Sequence, residues 1–258
     1  MVDPECTREV PAIISSYREK PPVPEPGEIG GPEEAFALGD EYVECLGKII
    51  NSHVRNERAG AAAFDEPSIA HAPTAKDKWL ACRMAMEEYG HHLQFNKLAA
   101  ALSLEDPYTR PPLTVFEEEL SSWPEYVLSK ALIDLAEIVL MEDLCSCSYR
   151  PLRDLCVSLM PEERFHVRLG RDGSRRLARD PARRGEMQRV VDGMVPVTMT
   201  FFGRSDSPNN ARFRRWGIKR LTNDECRRIF SERARSIVED DLNLVFPEVK
   251  QTWNGSMN

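Results

Sequence analysis

Apolar positions recur every three or four residues along six long segments of the chain, and polar positions fill the spaces between them. This period places apolar side chains on one face of an α-helix. The predicted helices cover residues 34–64, 75–104, 124–148, 152–178, 182–203 and 222–239. Alternation of apolar and polar positions, the pattern of a strand, does not persist long enough to predict a sheet. The pattern therefore predicts an all-α protein with a four-helix bundle and additional C-terminal helices.

Prolines divide the chain into an arm and a helical part. Residues 1–33 contain seven of the nineteen prolines, which predicts an extended arm. Residues 34–258 are predicted to form one helical domain. Within it, the core bundle covers about 34–180, and further helices and loops cover about 181–258.

Three further prolines bear on where the helices end. Pro67 and Pro73 are expected to close the first helix, and Pro161 is expected to start or kink the fourth. The apolar face of the second helix predicts its contribution to the core. Its core candidates are Trp79, Leu80, Met84, Leu93, Phe95 and Leu98.

A carboxylate followed by Glu-x-x-His occurs twice. Glu57 stands 31 residues before the glutamate of Glu88-Tyr89-Gly90-His91, and Asp134 stands 29 residues before that of Glu163-Arg164-Phe165-His166. Glu and His three positions apart project from the same side of a helix, so one segment offers a metal both oxygen and nitrogen. Two such segments with two further carboxylates are the ligand plan of a dinuclear metal centre inside a helical bundle.

The donor types favour iron first and manganese second, because zinc prefers tetrahedral sets richer in thiolate or histidine. Asp134 lies within an apolar run, where an unpaired carboxylate would cost several kcal/mol and metal binding would remove that cost. Glu137 lies one turn away on the same face. Spacing alone leaves Asp134 and Glu137 as alternatives for the fourth carboxylate.

Two acids adjoin the motif glutamates. Glu87 and Glu162 lie about 100° round their helices from Glu88 and Glu163, which indicates either an outer contact or a solvated position. An alternative for both motifs together is a pair of ordinary Glu/His contacts on helix surfaces.

The remaining histidines are predicted to play lesser parts. His53 lies one turn before Glu57, where an ordinary helix-surface position is favoured over an extra contact with the centre. His92 points away from the direction of its neighbour in the motif. His71 falls in a proline-bounded stretch that is predicted to be a loop, and it is expected to be exposed.

Composition narrows the function further. A net charge of -8 and a pI near 5.3 argue against a nucleic-acid-binding protein. The seven cysteines are scattered without a Cys-x-x-Cys pair, which indicates thiols in a reducing compartment. The N-terminus lacks the apolar stretch of a secretory signal, and no run approaches the length of a membrane span. These features predict a cytoplasmic protein that does not enter the membrane.

Sequence blocks in and around the motifs point to a family. The blocks are Glu88-Tyr89-Gly90-His91, Trp123-Pro124-Glu125-Tyr126, Ile133-Asp134-Leu135-Ala136, Cys147-Ser148-Tyr149, Glu162-Glu163-Arg164-Phe165-His166, Phe202-Gly203-Arg204-Ser205-Asp206-Ser207, Trp216-Gly217-Ile218-Lys219 and Thr222-Asn223-Asp224-Glu225. From about residue 57 onward, the chain resembles the catalytic subunits of bacterial phenylacetyl-CoA epoxidases, which are ferritin-like di-iron multicomponent monooxygenases. The loop blocks indicate kinship better than the metal motif, because bundle packing does not require them.

The resemblance implies a ferritin-like bundle and favours Asp134 over Glu137. The implied metal ligands are Glu57, Glu88, His91, Asp134, Glu163 and His166, and the four carboxylates are also the implied catalytic groups. A sister subunit of the family has lost metal ligands, so the complete set implies the catalytic type. Catalytic subunits of the family carry a lysine four residues before the first motif glutamate, whereas this chain has Met84 there, beside Arg83.

The resemblance also implies an activity and its partners. Two iron ions would activate dioxygen to epoxidise or hydroxylate an aromatic substrate, an aryl-CoA thioester such as phenylacetyl-CoA. We expect a separate NAD(P)H-dependent reductase and a homologous structural subunit, since the chain has neither a Gly-x-Gly-x-x-Gly motif nor iron–sulfur cysteine spacing. Arginine-rich stretches at 164–189 and 212–228 suit the phosphates of coenzyme A, but a solvated helix face or a docking surface for an acidic partner is favoured for any single arginine.

Other functions compete with this one. An iron-oxidising or iron-storage protein would use the same ligands, but needs little beyond four helices and a capping element. A di-iron hydroxylase could act on a specialised aromatic metabolite or on a tRNA base, and the acidic total opposes the tRNA substrate. A scaffold protein without catalysis is disfavoured by the complete ligand set.

Overall fold

The computed structural model describes residues 23–116, 120–250 and 253. These residues form helices joined by turns and loops; among them there is no strand, and Ile29 and Tyr149 form an isolated backbone bridge. The predicted all-α, ferritin-like fold class is confirmed. The α-helices are α1 (Pro32–Ala37), α2 (Asp40–Gly60), α3 (Glu66–His71), α4 (Ala75–Ala101), α5 (Trp123–Leu144), α6 (Arg150–Ala178), α7 (Pro181–Met199), α8 (Pro208–Arg215) and α9 (Asn223–Ser236).

Helices α2, α4, α5 and α6 form the bundle. The closest pairs are α5 with α6 and α2 with α4, and α4 also packs on α6. Helix α5 is buried on nearly every side because α7 and α9 pack on it as well, and its residues are apolar all round rather than along one stripe. Among the described residues, no helix combines the length and apolar character that crossing a bilayer requires.

Residues 23–31 run along the junction between α5 and α6. The Ile29 N–H donates to the Ser148 carbonyl at 2.9 Å, and the Arg150 N–H donates to the Ile29 carbonyl at 2.8 Å. This part of the predicted arm therefore lies on the bundle itself. The rest of the arm, residues 1–22, lies outside the described residues.

Several helix limits differ from the prediction. Pro67 does not end the first long helix, because a π-helical turn at Ala61–Asp65 continues α2 into α3 and Pro67 lies in the first turn of α3. Gly39 has a φ of 96° and separates α1 from α2. Helix α6 runs through Pro161 without starting there. Helix α8 was not predicted, because its eight residues are mostly polar.

The prediction of the core residues of α4 is correct for some of them and wrong for others. Leu80, Met84 and Phe95 are buried, whereas Trp79 and Leu93 are 62% and 58% exposed. Within the described part of the chain, α2, α3, α5 and α6 cover one side of α4. An apolar side chain on the other side of such a helix stays outside the core.

Two glycines of α6 allow α5 to approach closely. A Cβ atom at Gly170 would lie 2.4 Å from the backbone nitrogen of Ala131, and one at Gly173 would lie 2.7 Å from the Val127 side chain. A larger residue at either position would overlap α5 in a close-packed interior. The glycines therefore set the spacing of the helices that carry Asp134 and the second Glu-x-x-His motif.

Gly170→Ala is expected to lower the free energy of unfolding by about 1–3 kcal/mol, because the added methyl group forces α5 and α6 apart. Gly193→Ala is the matched control, since an added Cβ on this exposed residue of α7 meets no atom within 4 Å. The control should gain about 0.5–1 kcal/mol from helix propensity. Urea unfolding followed by circular dichroism measures both variants, and equal stability would contradict the close helix contact.

Candidate metal centre

The residues of the two motifs meet in the middle of the bundle, and all of their side chains are buried. Helices α2, α4, α5 and α6 each contribute, in the order Glu57; Glu88 and His91; Asp134; Glu163 and His166. The three-residue spacing lets α4 and α6 each turn a carboxylate and an imidazole inward together. The structure thus brings together every residue that the spacing singled out.

The donor atoms of the motif residues form two overlapping groups, and within each group they lie within 4.8 Å of one another; a third group, His53, Glu57 and Glu137, shares Glu57 with the first. The first group is Glu57, Glu88, His91 and Glu163, and the second is Glu88, Asp134 and His166. Two neighbouring metal positions follow from this overlap, which we call the His91 position and the His166 position.

Glu88 and Glu163 each span both positions. Glu163 Oε1 lies 3.0 Å from His91 Nδ1, and its Oε2 lies 3.7 Å from His166 Nδ1. Glu88 Oε2 lies 3.5 Å from His91 Nδ1, and its Oε1 lies 3.2 Å from His166 Nδ1. Both carboxylates thus have one oxygen beside each ring, which is the arrangement that bridges two metal ions.

The other two carboxylates each serve one position. Glu57 Oε2 lies 3.7 Å from His91 Nδ1, and Asp134 Oδ2 lies 3.7 Å from His166 Nδ1. The arrangement is therefore symmetrical, with one imidazole and one terminal carboxylate on each side of the two spanning glutamates.

The outer edge of each imidazole contacts a carboxylate from the opposite helix. His91 Nε2 lies 2.8 Å from Glu162, and His166 Nε2 lies 2.9 Å from Glu87. A carboxylate at Nε2 holds a proton there and leaves Nδ1 free to bind a metal ion. Of the two roles that the sequence left open for Glu87 and Glu162, the structure shows the outer contact.

The inward donor atoms fit metal ions because several of them are unsatisfied. His91 Nδ1, His166 Nδ1, Glu163 Oε1 and Asp134 Oδ2 are buried and make no hydrogen bond with the described residues, although ion-pair contacts reach them. A buried polar atom without a hydrogen bond costs about 1–3 kcal/mol. Two cations would satisfy these atoms together, and an oxygen-rich set suits iron or manganese.

Burial and neighbouring carboxylates shift the pKa of several groups in the centre. Burial raises the pKa of Glu57 to about 7. Burial acts to lower the pKa of His166, but the Glu88, Glu87 and Glu163 carboxylates outweigh it and raise the pKa to about 10. The pKa of His91 is raised in the same way. Metal ions would displace protons from these rings, because a ligating imidazole is neutral.

Sequence reasoning missed a buried cation beside the centre. Lys130 is 3% exposed, and its Nζ lies 2.7 Å from Glu88 Oε1, 3.3 Å from Asp134 Oδ2 and 3.1 Å from Asp65 Oδ1. Burial opposes its charge, yet the Asp134, Asp65 and Glu88 carboxylates raise its pKa well above the ordinary value. The available signal was a lysine one helical turn before Asp134 within an apolar run.

Lys130 brings a cation from α5, whereas the resemblance leads to the expectation of one on α4. Met84, at the expected position, is fully buried in a cluster with Tyr126 and Val127. The neighbouring Arg83 instead pairs with Glu87 at 2.7 Å. A positive charge therefore reaches the carboxylates from a different helix.

The predicted helix-surface position of His53 is wrong. His53 is buried, its Nδ1 lies 3.0 Å from Glu137 Oε1 and 3.7 Å from Glu57 Oε1, and its ring stacks on Phe95. Burial acts to lower its pKa, but Glu137 and Glu57 raise it to about 10. Glu137 thus faces His53, while Asp134 faces the His166 position.

The other two histidines lie apart from both donor groups. His92 Nδ1 lies 2.8 Å from the Val54 carbonyl oxygen. His71 is exposed at the C-terminal end of α3. Neither histidine belongs to a donor group. His71 is exposed as predicted, but it ends a helix instead of lying in a loop.

Two adjoining cavities lie beside the centre. The smaller, of about 30 Å³, is lined by Glu57, Glu88, Asp134, Glu163 and apolar side chains that include Phe64, Phe116 and Ile133. The larger, of about 770 Å³, has both basic and acidic side chains in its wall: Lys48, Arg55, Arg110 and Lys219, and Glu44, Glu105, Asp106 and Glu137. Asn56, Glu137 and Phe201 line both. The donor groups therefore border a small chamber with both polar and apolar side chains in its wall, next to a large cavity that carries charged side chains.

Many arginines of the two arginine-rich stretches are held by acids. Arg171 and Arg175 pair with Asp241, and Arg212 pairs with Glu41 and Glu44. Within the described part of the chain, Lys219 is the one basic residue of either stretch that lines the larger cavity. A phosphate in this cavity would meet a basic wall supplied mainly from outside the two stretches.

Known proteins resemble this chain over most of its length. A family model described as "Phenylacetic acid catabolic protein" matches residues 35–258, which include every residue of the candidate centre. The chain is 31% identical over 222 residues to one subunit of the 1,2-phenylacetyl-CoA epoxidase of Escherichia coli (strain K12), and the match covers 82% of this chain and 71% of that protein. The resemblance read from the sequence blocks is confirmed, and the chain belongs to the phenylacetic acid catabolic protein family.

Proposed function

We propose that this protein is the catalytic subunit of a di-iron monooxygenase acting on an aryl-CoA thioester, with phenylacetyl-CoA as the first candidate. One oxygen atom of dioxygen would enter the aromatic ring as an epoxide or a hydroxyl group. The other would leave as water, with two electrons and two protons supplied from outside. The observation that best supports this function is the pair of buried donor groups bridged by Glu88 and Glu163.

The side chains suit this chemistry. Iron, with manganese as second choice, would supply the activation of dioxygen. Glu88 and Glu163 would hold both ions, and Glu57 and Asp134 would each hold one. Glu87 and Glu162 would keep the imidazoles oriented through Nε2. Phe64, Phe116, Ile133 and Phe201 in the wall of the small chamber would limit the space for water beside the reacting atoms to about 30 Å³.

The cavities support a thioester substrate. The small chamber, at about 30 Å³, would hold a molecule the size of water or dioxygen beside the donors, so the thioester would lie in the larger cavity of about 770 Å³. Arg55 and Arg110 line the larger cavity, and neither forms an ion pair with a carboxylate of the described residues. Two unpaired guanidinium groups suit the phosphates of coenzyme A.

The electrons and the partners come from outside the chain. The sequence has no nucleotide-binding motif and no iron–sulfur ligand pattern, so we propose a separate NAD(P)H-dependent reductase. The similar protein from Escherichia coli is named as one subunit of its epoxidase, which supports assembly with a homologous structural subunit.

An iron-storage protein is the main alternative from another class, and it would use the same ligands. It would oxidise iron without oxidising an organic molecule. The larger cavity favours the oxygenase, because iron oxidation alone needs no cavity of about 770 Å³.

Adjacent glutamates on α6 give a matched test of the metal centre. Glu163→Gln is expected to reduce tight iron binding from about two ions per chain to one or none, because a bridging oxygen is lost. Glu162→Gln should retain both ions with an affinity roughly 10–100-fold lower, since it only orients His91. Anaerobic iron(II) loading followed by metal analysis of the folded protein measures both. The reverse order would mean that the wrong face of α6 was chosen.

A single-turnover experiment tests the activity without the natural reductase. Iron-loaded protein, reduced chemically and then exposed to isotopically labelled dioxygen with phenylacetyl-CoA, should yield a product carrying one labelled oxygen atom. Mass spectrometry detects it, and Glu163→Gln serves as the inactive control. Oxidation of the iron with the thioester unchanged would support iron storage instead.

Arg55→Ala is expected to weaken binding of the thioester roughly 10-fold or more, because a charge-assisted phosphate contact contributes about 1.5–3 kcal/mol. Arg164→Ala is the control, since Arg164 belongs to an arginine-rich stretch but does not line the cavity. Calorimetric titration with the coenzyme A thioester measures both variants. An equal loss of affinity in the two would contradict the proposed orientation of the substrate.

A further inference from the structure

The two halves of the centre differ in the residue one helical turn before the terminal carboxylate. On α2, His53 precedes Glu57 by four residues, and on α5, Lys130 precedes Asp134 by four. His53 lies closer to Glu137 than to Glu57, at 3.0 Å against 3.7 Å. Lys130 points into the centre itself. The centre is therefore symmetrical in its ligands but not in its buried cations.

Lys130 contacts the oxygen atoms that an ion in the His166 position would use. Glu88 Oε1 lies 2.7 Å from Lys130 Nζ and 3.2 Å from His166 Nδ1. Asp134 Oδ2 lies 3.3 Å from Lys130 Nζ and 3.7 Å from His166 Nδ1. An ion at these atoms would have to compete with the ammonium group.

The His91 position shares only Glu88 with this competition, and the Glu88 oxygen that Lys130 contacts is Oε1, whereas the one beside His91 is Oε2. The donor atoms Glu57 Oε2 and Glu163 Oε1 lie 3.7 Å and 3.0 Å from His91 Nδ1. The ion pairs of Lys130 among the described residues are with Asp65, Glu88 and Asp134. Three donors of the His91 position are thus available without moving the lysine.

Asp65 is a carboxylate partner that Lys130 can keep when a metal ion displaces it from Glu88 and Asp134. Asp65 is 1% exposed, lies in the π-helical turn, and accepts a hydrogen bond from the Tyr126 hydroxyl at 2.9 Å. Its Oδ1 lies 3.1 Å from Lys130 Nζ, and it belongs to neither donor group. Lys130 can therefore keep one carboxylate partner after it leaves the other two.

We infer that Lys130 is an internal stand-in cation for the His166 position, so that the His91 position binds its metal ion first and the His166 position binds second. The inference rests on the proposed metal centre. The second ion must displace the ammonium from Glu88 and Asp134 and then sit close to a like charge. The first ion can bind without displacing the ammonium group.

Manganese(II) alone is the probe, because a single ion and a coupled pair give different electron paramagnetic resonance spectra. The folded wild-type chain should show the single-ion spectrum up to one equivalent and the coupled spectrum only with the second. Equilibrium dialysis should give two dissociation constants that differ about tenfold or more. A coupled spectrum from the first addition, or two equal constants, would overturn the inference.

Two variants identify the position that fills first. Asp134→Asn should keep the tight binding step and lose the weak one. Glu57→Gln should weaken the tight step instead. Loss of the tight step in Asp134→Asn would show that the order is reversed.

Removing the Lys130 ammonium group tests directly whether it sets the order in which the two positions bind metal ions. In Lys130→Met, the ratio of the two dissociation constants should fall about tenfold. Spin-coupled manganese pairs should then appear below one equivalent of added metal. Lys130→Met with Asp65→Asn removes one charge of each sign and should show the same convergence, which separates the local contact from net charge. Circular dichroism checks that both variants fold.

An unchanged ratio in the folded variants would show that Lys130 does not set the order. If Lys130→Met fails to fold, the double variant and the titrations of Asp134→Asn and Glu57→Gln still decide the inference. Failure of folded wild-type protein to bind any ion would reject the proposed function along with it. Equal binding at both positions would reject the inference alone.

Discussion

Burial of four carboxylates within a few ångström of one another is the constraint on which the rest of the structure depends. Removing a charged carboxylate from water costs several kcal/mol unless a cation compensates, and neighbouring carboxylates repel one another. Glu57, Glu88, Asp134 and Glu163 are all buried nevertheless. The bundle must therefore hold positive charge at its centre, as protonated imidazole, as ammonium or as metal ions.

Imidazole and ammonium groups place positive charge next to these carboxylates. The two motif imidazoles face the carboxylates through Nδ1 and reach Glu87 and Glu162 through Nε2, so each ring links an inner acid with an outer one. Lys130 and His53 add buried positive charge, each one helical turn before a terminal carboxylate. Because Lys130 extends from α5, the centre receives an ammonium group although Met84 occupies the position on α4 where the family resemblance leads to the expectation of a lysine.

Helix packing brings the carboxylates and imidazoles together and leaves cavities beside them. Gly170 lets α5 and α6 approach, which brings Asp134 beside the second motif. The donors border a small chamber of about 30 Å³, and the chamber adjoins a cavity of about 770 Å³ with charged side chains in its wall. The candidate centre is therefore buried in the bundle yet lies next to a cavity large enough for an organic molecule.

Sequence by itself determined the all-α fold and the residues that meet at the centre, because a three-residue Glu/His spacing and a helical apolar period are local properties of one chain segment. Family resemblance chose Asp134 over Glu137, which spacing could not do. Only the tertiary structure decided that His53 is buried, that Trp79 is exposed and that Lys130 and Asp65 join the cluster. These outcomes depend on which helix faces which, and a residue's own segment does not contain that information.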